Sequence, residues 1–204
     1  TPFISGKDSL NNQFTTENGE TICIPPTLLI SGFGMVADIA QCLTMDAKTS
    51  GNLLVLVGET NSQMGGSHLL MIDPEADCDT TLPSVSLIDG PQNAKRVAEA
   101  IHNGLVVSAH DCSEGGALLA AAEMAYSGEL GLELTLDESL CFSETPSRYL
   151  LEVRPNQLDE LQDLLGGTKS ELIGTFNDSG KVTLGNASWC INELFQTWSG
   201  GMTL

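Results

Sequence analysis

The sequence predicts an α+β protein in which helices cover a mixed, ferredoxin-like β-sheet, a layered α/β architecture. Leu53–Val57 is apolar at every position, which is typical of a strand covered on both faces. Residues 93–103 carry apolar side chains three and four positions apart, the spacing of an amphipathic helix. From residue 105 onward the predicted elements follow the order β-α-β-β-α-β, which is the split βαβ arrangement of ferredoxin-like sheets.

Local signals support each element of the first half. Residues 11–20 are polar and predict a loop, whereas residues 27–36 (TLLISGFGMV) are mostly apolar and predict a strand. Leu53–Val57 leads into a glycine-rich loop over residues 58–67. The predicted helix over residues 93–103 is stopped by glycine, and a strand over residues 105–109 follows it.

The second half continues with an Ala- and Leu-rich helix that begins at Ala117 and ends at Gly128. The other predicted elements are strands over residues 130–136, 149–153, 171–176 and 181–184, a helix over residues 156–165 and a closing amphipathic segment over residues 189–198. Alternating strands and helices of this kind make layers around one sheet.

Charge and hydropathy exclude several classes of partner. The 204 residues contain 8 Lys and Arg against 27 Asp and Glu, so the formal net charge is −19. Such a balance lacks the cations that neutralise nucleic-acid phosphates or anionic lipids. Apolar runs are far shorter than the roughly 18–20 residues of a membrane span. We therefore expect neither nucleic acid nor membrane as a partner.

The six cysteines lie far apart, without a C-x-x-C pair or a zinc-ligand spacing. This pattern predicts free, mostly buried thiols in a reducing cytoplasm. The chain also begins without Met, on a short apolar run that passes into the polar segment Ser5-Gly6-Lys7-Asp8-Ser9. We interpret residues 1–24 as the tail of a preceding domain and residues 25–204 as the main domain.

The turn from His110 to Gly116 is the strongest candidate site, because it joins a predicted strand to a predicted helix. Unpaired amides at a helix start bind oxyanions. Asp111 is a candidate Mg²⁺ ligand and Ser113 a candidate phosphate donor or helix cap, while Gly115 and Gly116 allow a ligand to approach the backbone. The alternative is an ordinary helix capped by Asp and Ser.

Two further interpretations are weaker. His110 and Cys112 have the chemistry of a nucleophile and its base, but a packed histidine and a buried cysteine explain them better. Residues 5–9 have groups that suit phosphate or Mg²⁺, but an ordinary polar turn explains them better. The Gly65-Gly66-Ser67 turn also suits phosphate, and a hairpin-like turn explains it equally well. With a charge of −19, phosphate binding needs a metal ion or another domain's cations, since only Lys7 and Arg148 lie in motif-like surroundings.

Five segments, in order, carry a family resemblance: SGKDSLNN, IPPTLLISGFGMVADI, ETNSQMGGS, AHDCSEGGALLAAAEMAYSG and FSETPSRYLLEV. They resemble the phosphoribosylformylglycinamidine synthase family of purine biosynthesis over nearly the whole chain. More broadly, the chain is similar to the C-terminal domain of the aminoimidazole-ribonucleotide (AIR) synthetase superfamily. The resemblance implies an AIR-synthetase C-terminal-domain-like fold for residues 25–204 and an N-type domain before it.

The resemblance also implies a function. Members are cytoplasmic ATP-dependent ligases that convert formylglycinamide ribonucleotide, ATP and glutamine-derived ammonia to formylglycinamidine ribonucleotide. Asp111 falls on the family's Mg²⁺ ligand, Ser113 and Gly6 on nucleotide contacts, and Ser9 on a substrate-phosphate contact. Lys7 and Cys112 depart from residues usual in some members. No catalytic residue of the family falls within the chain.

Several consequences follow from the resemblance. The expected cofactors are Mg²⁺ and ATP or ADP. The expected partners are the other synthase domains, a glutaminase domain or subunit, and a phosphorylated small-molecule substrate. The fragment alone is expected to be inactive. Two alternatives stay open: a structural ADP–Mg²⁺ module without chemistry of its own, or a C-type domain of another superfamily member.

Overall fold

The computed structural model describes residues 2–6, 12–23 and 29–200, and the chain divides into two compact units, Thr1–Ala37 and Asp38–Leu204. In the first unit, β1 (Gln13–Thr15) pairs antiparallel with β2 (Thr21–Cys23). This hairpin replaces part of the loop predicted over residues 11–20. The domain boundary predicted after residue 24 stays a prediction.

The strand predicted over residues 27–36 is wrong for residues 29–36, which form no strand; residues 27 and 28 lie outside the described part. Leu29, Phe33 and Met35 are about nine-tenths exposed, at 89%, 95% and 93%. An apolar segment becomes a strand when it pairs with a neighbour and buries a face. Among the described residues, no strand pairs with this segment.

The second unit supplies the remaining elements. Its strands are β3 (Leu53–Val57), β4 (Ser108–Asp111), β5 (Gly131–Leu134), β6 (Tyr149–Val153), β7 (Ser170–Asn177), β8 (Lys181–Leu184) and β9 (Ala187–Cys190). Its α-helices are α1 (His68–Ile72), α2 (Asp89–His102), α3 (Gly116–Ser127), α4 (Leu158–Leu165) and α5 (Ile191–Gly200). Short 3-10 turns cover Ile39–Gln41 and Pro155–Gln157.

The strands of this unit form one seven-stranded sheet in the order β4-β6-β3-β7-β5-β8-β9. Neighbours are antiparallel except β5 and β8, which are parallel, so the sheet is mixed as predicted. The run β7-β3-β6-β4, with α2 after β3 and α4 after β6, has the alternation of a split βαβ sheet.

The fold class is confirmed, but the split βαβ unit consists of other elements than predicted. It begins at β3 rather than at residue 105, and α3 and β5 are inserted within it. The reason is the position of β5, which pairs with the far side of β7, Leu132 lying opposite Phe176. Order along the chain does not reveal this pairing.

The hydrophobic core lies on both faces of the sheet, as the all-apolar β3 predicts. Leu54 and Leu56 belong to the cluster that contains the buried face of α3, whereas Val55 and Val57 belong to the cluster beneath α2 and α4. Successive side chains of a strand point to opposite faces. The sheet is therefore the middle of three layers.

Helix ends differ from the prediction for local reasons. α2 begins four residues before residue 93, where Ser86 Oγ accepts a 3.0 Å bond from the Asp89 N–H and donates one of 2.7 Å to its carboxylate. α2 ends with Gly104 in the left-handed region at φ +71°, and the Leu105 N–H donates back to the Ala100 carbonyl at 3.1 Å. Leu105 therefore closes the helix, and β4 starts three residues later.

Glu152 is a fully buried carboxylate that ties the sheet to the segment before β3. Its oxygens accept bonds from the Lys48 and Thr49 N–H groups at 2.9 and 3.0 Å. Asn52 Nδ2 and Ser108 Oγ also donate to it, both at 2.7 Å. Four donors satisfy an anion that would otherwise be costly to bury.

Two composition-based expectations can be compared with the structure. All six cysteines are free, but only Cys112 and Cys141 are buried, so the expectation of mostly buried thiols is wrong. In the described part of the chain, every helix is too short or too polar to cross a membrane.

Candidate functional site

The site predicted between residues 110 and 116 lies at the junction of β4 and α3. The Asp111 side chain is 67% exposed and Ser113 is exposed, so both face away from the packed interior. Cys112, between them, is buried and donates its N–H to the Arg148 carbonyl at 3.0 Å. The loop therefore presents a carboxylate and a hydroxyl on either side of an anchored residue.

Gly115 and Gly116 are required by backbone geometry. Both have positive φ, +77° and +71°, a region that is unfavourable for residues with a Cβ. A Cβ on Gly116 would lie 2.4 Å from the Ser143 carbonyl oxygen and 2.8 Å from the Phe142 carbonyl carbon. The turn into α3 is thus pressed against residues 142–143.

The expectation that the α3 start leaves unpaired amides is wrong for three of them. The Gly115 N–H donates to Glu144 Oε1 at 2.8 Å, and the Gly116 N–H donates to the Ser113 carbonyl at 3.0 Å. The Leu118 N–H donates to the Cys141 carbonyl at 3.1 Å. A carboxylate of the chain itself therefore occupies the position at the helix start where a ligand oxyanion was expected.

Glu144 joins two helix starts. The same Oε1 that accepts from Gly115 also accepts the His68 N–H at 2.8 Å, at the beginning of α1. Sequence analysis did not single out Glu144, because its partners lie 29 and 76 positions away. The local signal was its place in the segment FSETPSR, which contributed only to the family resemblance.

Arg148 holds the same segment in place from inside. It is 1% exposed; Nε donates to the Thr145 carbonyl at 2.9 Å, Nη1 donates to Thr60 Oγ1 at 3.0 Å, and Nη2 donates to the Ser143 carbonyl. Burial lowers the pKa of the guanidinium from its usual value. Because all three nitrogens point to acceptors of the chain, Arg148 does not present its charge to a ligand.

His110 and Cys112 do not form a nucleophile–base pair. His110 Nε2 lies 2.8 Å from Glu123 Oε2, and Nδ1 lies 3.2 Å from Asp111 Oδ1. Burial raises the pKa of the Cys112 thiol to about 12. A thiol of that pKa stays protonated at neutral pH and is a poor nucleophile. The structure favours the interpretation of a packed cysteine.

The other candidate segments contribute less. Gly6, in the first unit, is exposed, and no heavy atom lies within 4 Å of the position of an added Cβ. Ser9 and Lys7 lie outside the described residues. The turn at residues 65–67 is explained by packing: a Cβ on Gly65 would lie 2.4 Å from the Thr80 carbonyl oxygen.

The residues present set a limit on metal binding. Within residues 2–6, 12–23 and 29–200, no three His, Cys, Asp or Glu side chains come together to hold a metal ion. In nucleotide sites Mg²⁺ is held by one or two carboxylates together with phosphate oxygens and water. Asp111, a single exposed carboxylate, fits Mg²⁺ as a ligand shared with a phosphate.

Fold and site together define a three-layer α+β domain with a polar, glycine-containing turn at one edge of its sheet. The model of the C-terminal domain of AIR synthase related proteins matches residues 49–185, and the chain belongs to this family. The match contains three of the five segments singled out in the sequence and confirms the resemblance to the C-terminal domain of the AIR synthetase superfamily.

Relatives and solved structures agree with this assignment. The chain is 33% identical, over 99% of its length, to the phosphoribosylformylglycinamidine synthase subunit PurL of Alkaliphilus metalliredigens, and spans 28% of that protein. It also matches Thermotoga maritima PurL complexed with FGAR, with a TM-score of 0.67 and 16% identity over 76% of this chain and 30% of that one. For the same protein complexed with ADP, the TM-score is 0.59 at 16% identity, over 76% and 27% of the chains. At these identities the structural likeness establishes the fold.

Proposed function

We propose that the chain is part of the ATP-dependent synthetase of phosphoribosylformylglycinamidine synthase. That enzyme converts formylglycinamide ribonucleotide, ATP and ammonia from glutamine to formylglycinamidine ribonucleotide, ADP and phosphate in purine biosynthesis. The observation that carries the proposal is the match to PurL along 99% of this chain. Support also comes from the solved complexes of a PurL with FGAR and with ADP.

In this function Asp111 holds Mg²⁺ and the Ser113 hydroxyl contacts the nucleotide phosphates. The ion supplies positive charge that offsets phosphate charge next to a domain of net charge −19. Gly115 and Gly116 shape the turn, which keeps Ser113 on the surface. Because Glu144 already accepts from the Gly115 N–H, that amide is not available to a phosphate, which Mg²⁺ at Asp111 and the Ser113 hydroxyl would hold instead.

Gly6 and Ser9 remain the proposed contacts of the preceding segment, to nucleotide and to substrate phosphate respectively. They belong to the part of the chain that resembles the end of an N-type domain.

The chain contributes ligands rather than a complete active site. It spans 28% of the PurL relative, so the other domains and a glutamine-hydrolysing domain or subunit are the proposed partners. At the β4–α3 junction we find no activated nucleophile, since the Cys112 thiol has a pKa of about 12. We expect the 204 residues alone to be inactive.

Titration of the chain with ADP, once in the presence of Mg²⁺ and once in EDTA, tests the site. Wild type should bind ADP only when Mg²⁺ is present, and Asp111→Asn should lose this Mg²⁺-dependent binding. Asp178→Asn, which removes an exposed carboxylate between β7 and β8, is the matched control and should bind as wild type does. Equal Mg²⁺-dependent binding by Asp111→Asn would contradict the role of Asp111. Turnover of formylglycinamide ribonucleotide by the chain alone would contradict its expected inactivity.

A second candidate function, a structural ADP–Mg²⁺ module, is favoured by the unreactive Cys112 thiol at this junction, whose pKa is about 12. A ligand that binds only the folded state at 100 times its Kd adds about 2.7 kcal/mol to the free energy of unfolding. For a chain of this size that raises Tm by about 5–10 °C. In the complete synthase, a structural role predicts that Asp111→Asn lowers Tm while leaving the KM for ATP unchanged.

A further inference from the structure

Three side chains at the end of β4 form a continuous hydrogen-bonded chain. Glu123 Oε2, on α3, lies 2.8 Å from His110 Nε2, and His110 Nδ1 lies 3.2 Å from Asp111 Oδ1. The middle member is the least exposed: the His110 side chain is 17% exposed, whereas Glu123 is 29% exposed and Asp111 is 67% exposed. The histidine thus links a partly buried carboxylate to the candidate metal ligand.

The contacts of the His110 ring place it between two hydrogen-bond acceptors. An ionised carboxylate only accepts hydrogen bonds, so an N–H of the ring is the donor in each contact. Nδ1 faces Asp111 Oδ1 at 3.2 Å, and Glu123 Oε2 holds the other side of the ring at 2.8 Å from Nε2.

We propose that Glu123 and His110 position the Asp111 carboxylate for Mg²⁺, an inference that rests on the metal-binding role proposed for Asp111. His110 and Glu123 are positioning residues: they act on the metal through Asp111. The bond from His110 engages Oδ1, and none of the described residues makes a hydrogen bond to Oδ2, which remains free to bind the ion.

Positioning matters here because Asp111 is exposed. An exposed carboxylate samples several rotamers, and each rotamer lost on metal binding costs affinity. The backbone of Asp111 is already held by pairing with Tyr149 across β4 and β6. The bond from His110 fixes the side chain as well. Hydrogen bonds to metal-binding carboxylates typically change metal affinity by about 10–100-fold.

A purely structural interpretation is that His110 only ties β4 to α3. His110→Gln separates the two roles, because the amide nitrogen of glutamine lies near the position of Nε2 and can still donate to Glu123. It has no donor at the position of Nδ1, so Asp111 loses its bond. The matched control is His102→Gln, since His102 is exposed and bonds Gln41 at 3.1 Å.

Binding of Mn²⁺ in the presence of ADP, followed by electron paramagnetic resonance, measures the effect without enzymatic turnover. We expect His110→Gln to weaken Mn²⁺ binding about 10–100-fold. Glu123→Ala, which removes the acceptor at His110 Nε2, should weaken it in the same direction. His102→Gln should bind as wild type does. Unchanged Mn²⁺ affinity in His110→Gln, with or without a lower Tm, would overturn the positioning role.

The affinity of the wild-type chain for Mn²⁺ separates failure of the positioning role from failure of the metal site. If wild type binds no Mn²⁺ with ADP, both the metal site and its positioning fail. If wild type binds and the variants match it, only the positioning fails.

Discussion

Substitution of Gly116 by alanine tests whether the turn into α3 is held by contact with residues 142–143. Gly116 and Gly104 share a φ of +71°, so an alanine at either position pays the same backbone cost, about 1–2 kcal/mol. They differ in space: no heavy atom lies within 4 Å of a Cβ at Gly104, whereas a Cβ at Gly116 meets the Ser143 carbonyl oxygen at 2.4 Å.

The overlap at Gly116 adds to the backbone cost. Forcing an extra carbon into packed surroundings costs about 1–3 kcal/mol. We therefore expect Gly104→Ala to lower the free energy of unfolding by about 1–2 kcal/mol and Gly116→Ala by about 2–5 kcal/mol. For a chain of this length each kcal/mol lowers Tm by about 2–4 °C.

Urea unfolding of both variants, followed by circular dichroism, gives the two free energies under the same conditions. The difference between the variants measures the packing of the turn, because their common backbone cost cancels. Equal destabilisation by Gly104→Ala and Gly116→Ala would refute the close approach of Gly116 to the 142–143 backbone.

Three further predictions concern buried or shifted groups. At pH 8 in the folded state, iodoacetamide should alkylate the exposed Cys23 and spare Cys112, whose thiol has a pKa of about 12; labelling of both at equal rates would contradict its burial. Glu152→Gln leaves at least one buried hydrogen-bond donor without an acceptor, so it should lower the free energy of unfolding by about 1–3 kcal/mol. Glu171→Gln, at an exposed position, should leave that free energy almost unchanged. The raised pKa of His110 predicts that its contribution to stability is complete below pH 6.5, its usual pKa, and is lost as pH rises through the folded value. His110→Gln should flatten that pH dependence of unfolding, and an unchanged slope would contradict the shift.

Local patterns in the sequence were enough to predict single elements. Leu53–Val57, Tyr149–Val153 and Lys181–Leu184 have the predicted bounds. Their signals are local: Leu53–Val57 is apolar throughout and is followed by Gly58, and Gly180 and Gly185 flank Lys181–Leu184. Such signals act over a few residues, which is the range that a sequence pattern reports.

The sequence pattern could not predict which strands pair when they lie far apart along the chain. Which strand lies beside β7 depends on the whole core, so the position of β5 was not predicted. Residues 29–36 have the composition of a strand, but among the described residues no strand pairs with them. Composition alone does not supply the partner that a strand requires.

In the candidate site, too, local features could be predicted from the sequence, whereas long-range contacts could not. The exposure of Asp111 and Ser113 follows from a polar loop after a strand. The bond from Gly115 to Glu144 joins residues 29 positions apart, and Arg148 turns inward to carbonyls rather than outward to solvent. These contacts decide which groups are available to a ligand, and only the folded chain reveals them.

A crystal structure of the chain grown with Mn²⁺ and ADP, with anomalous diffraction recorded at the manganese edge, tests metal binding at Asp111 most directly. We expect an anomalous peak about 2.0–2.2 Å from a carboxylate oxygen of Asp111, bridged to a phosphate of the nucleotide beside Ser113. Manganese and nucleotide bound elsewhere, with the Asp111 carboxylate contacting neither, would contradict the site.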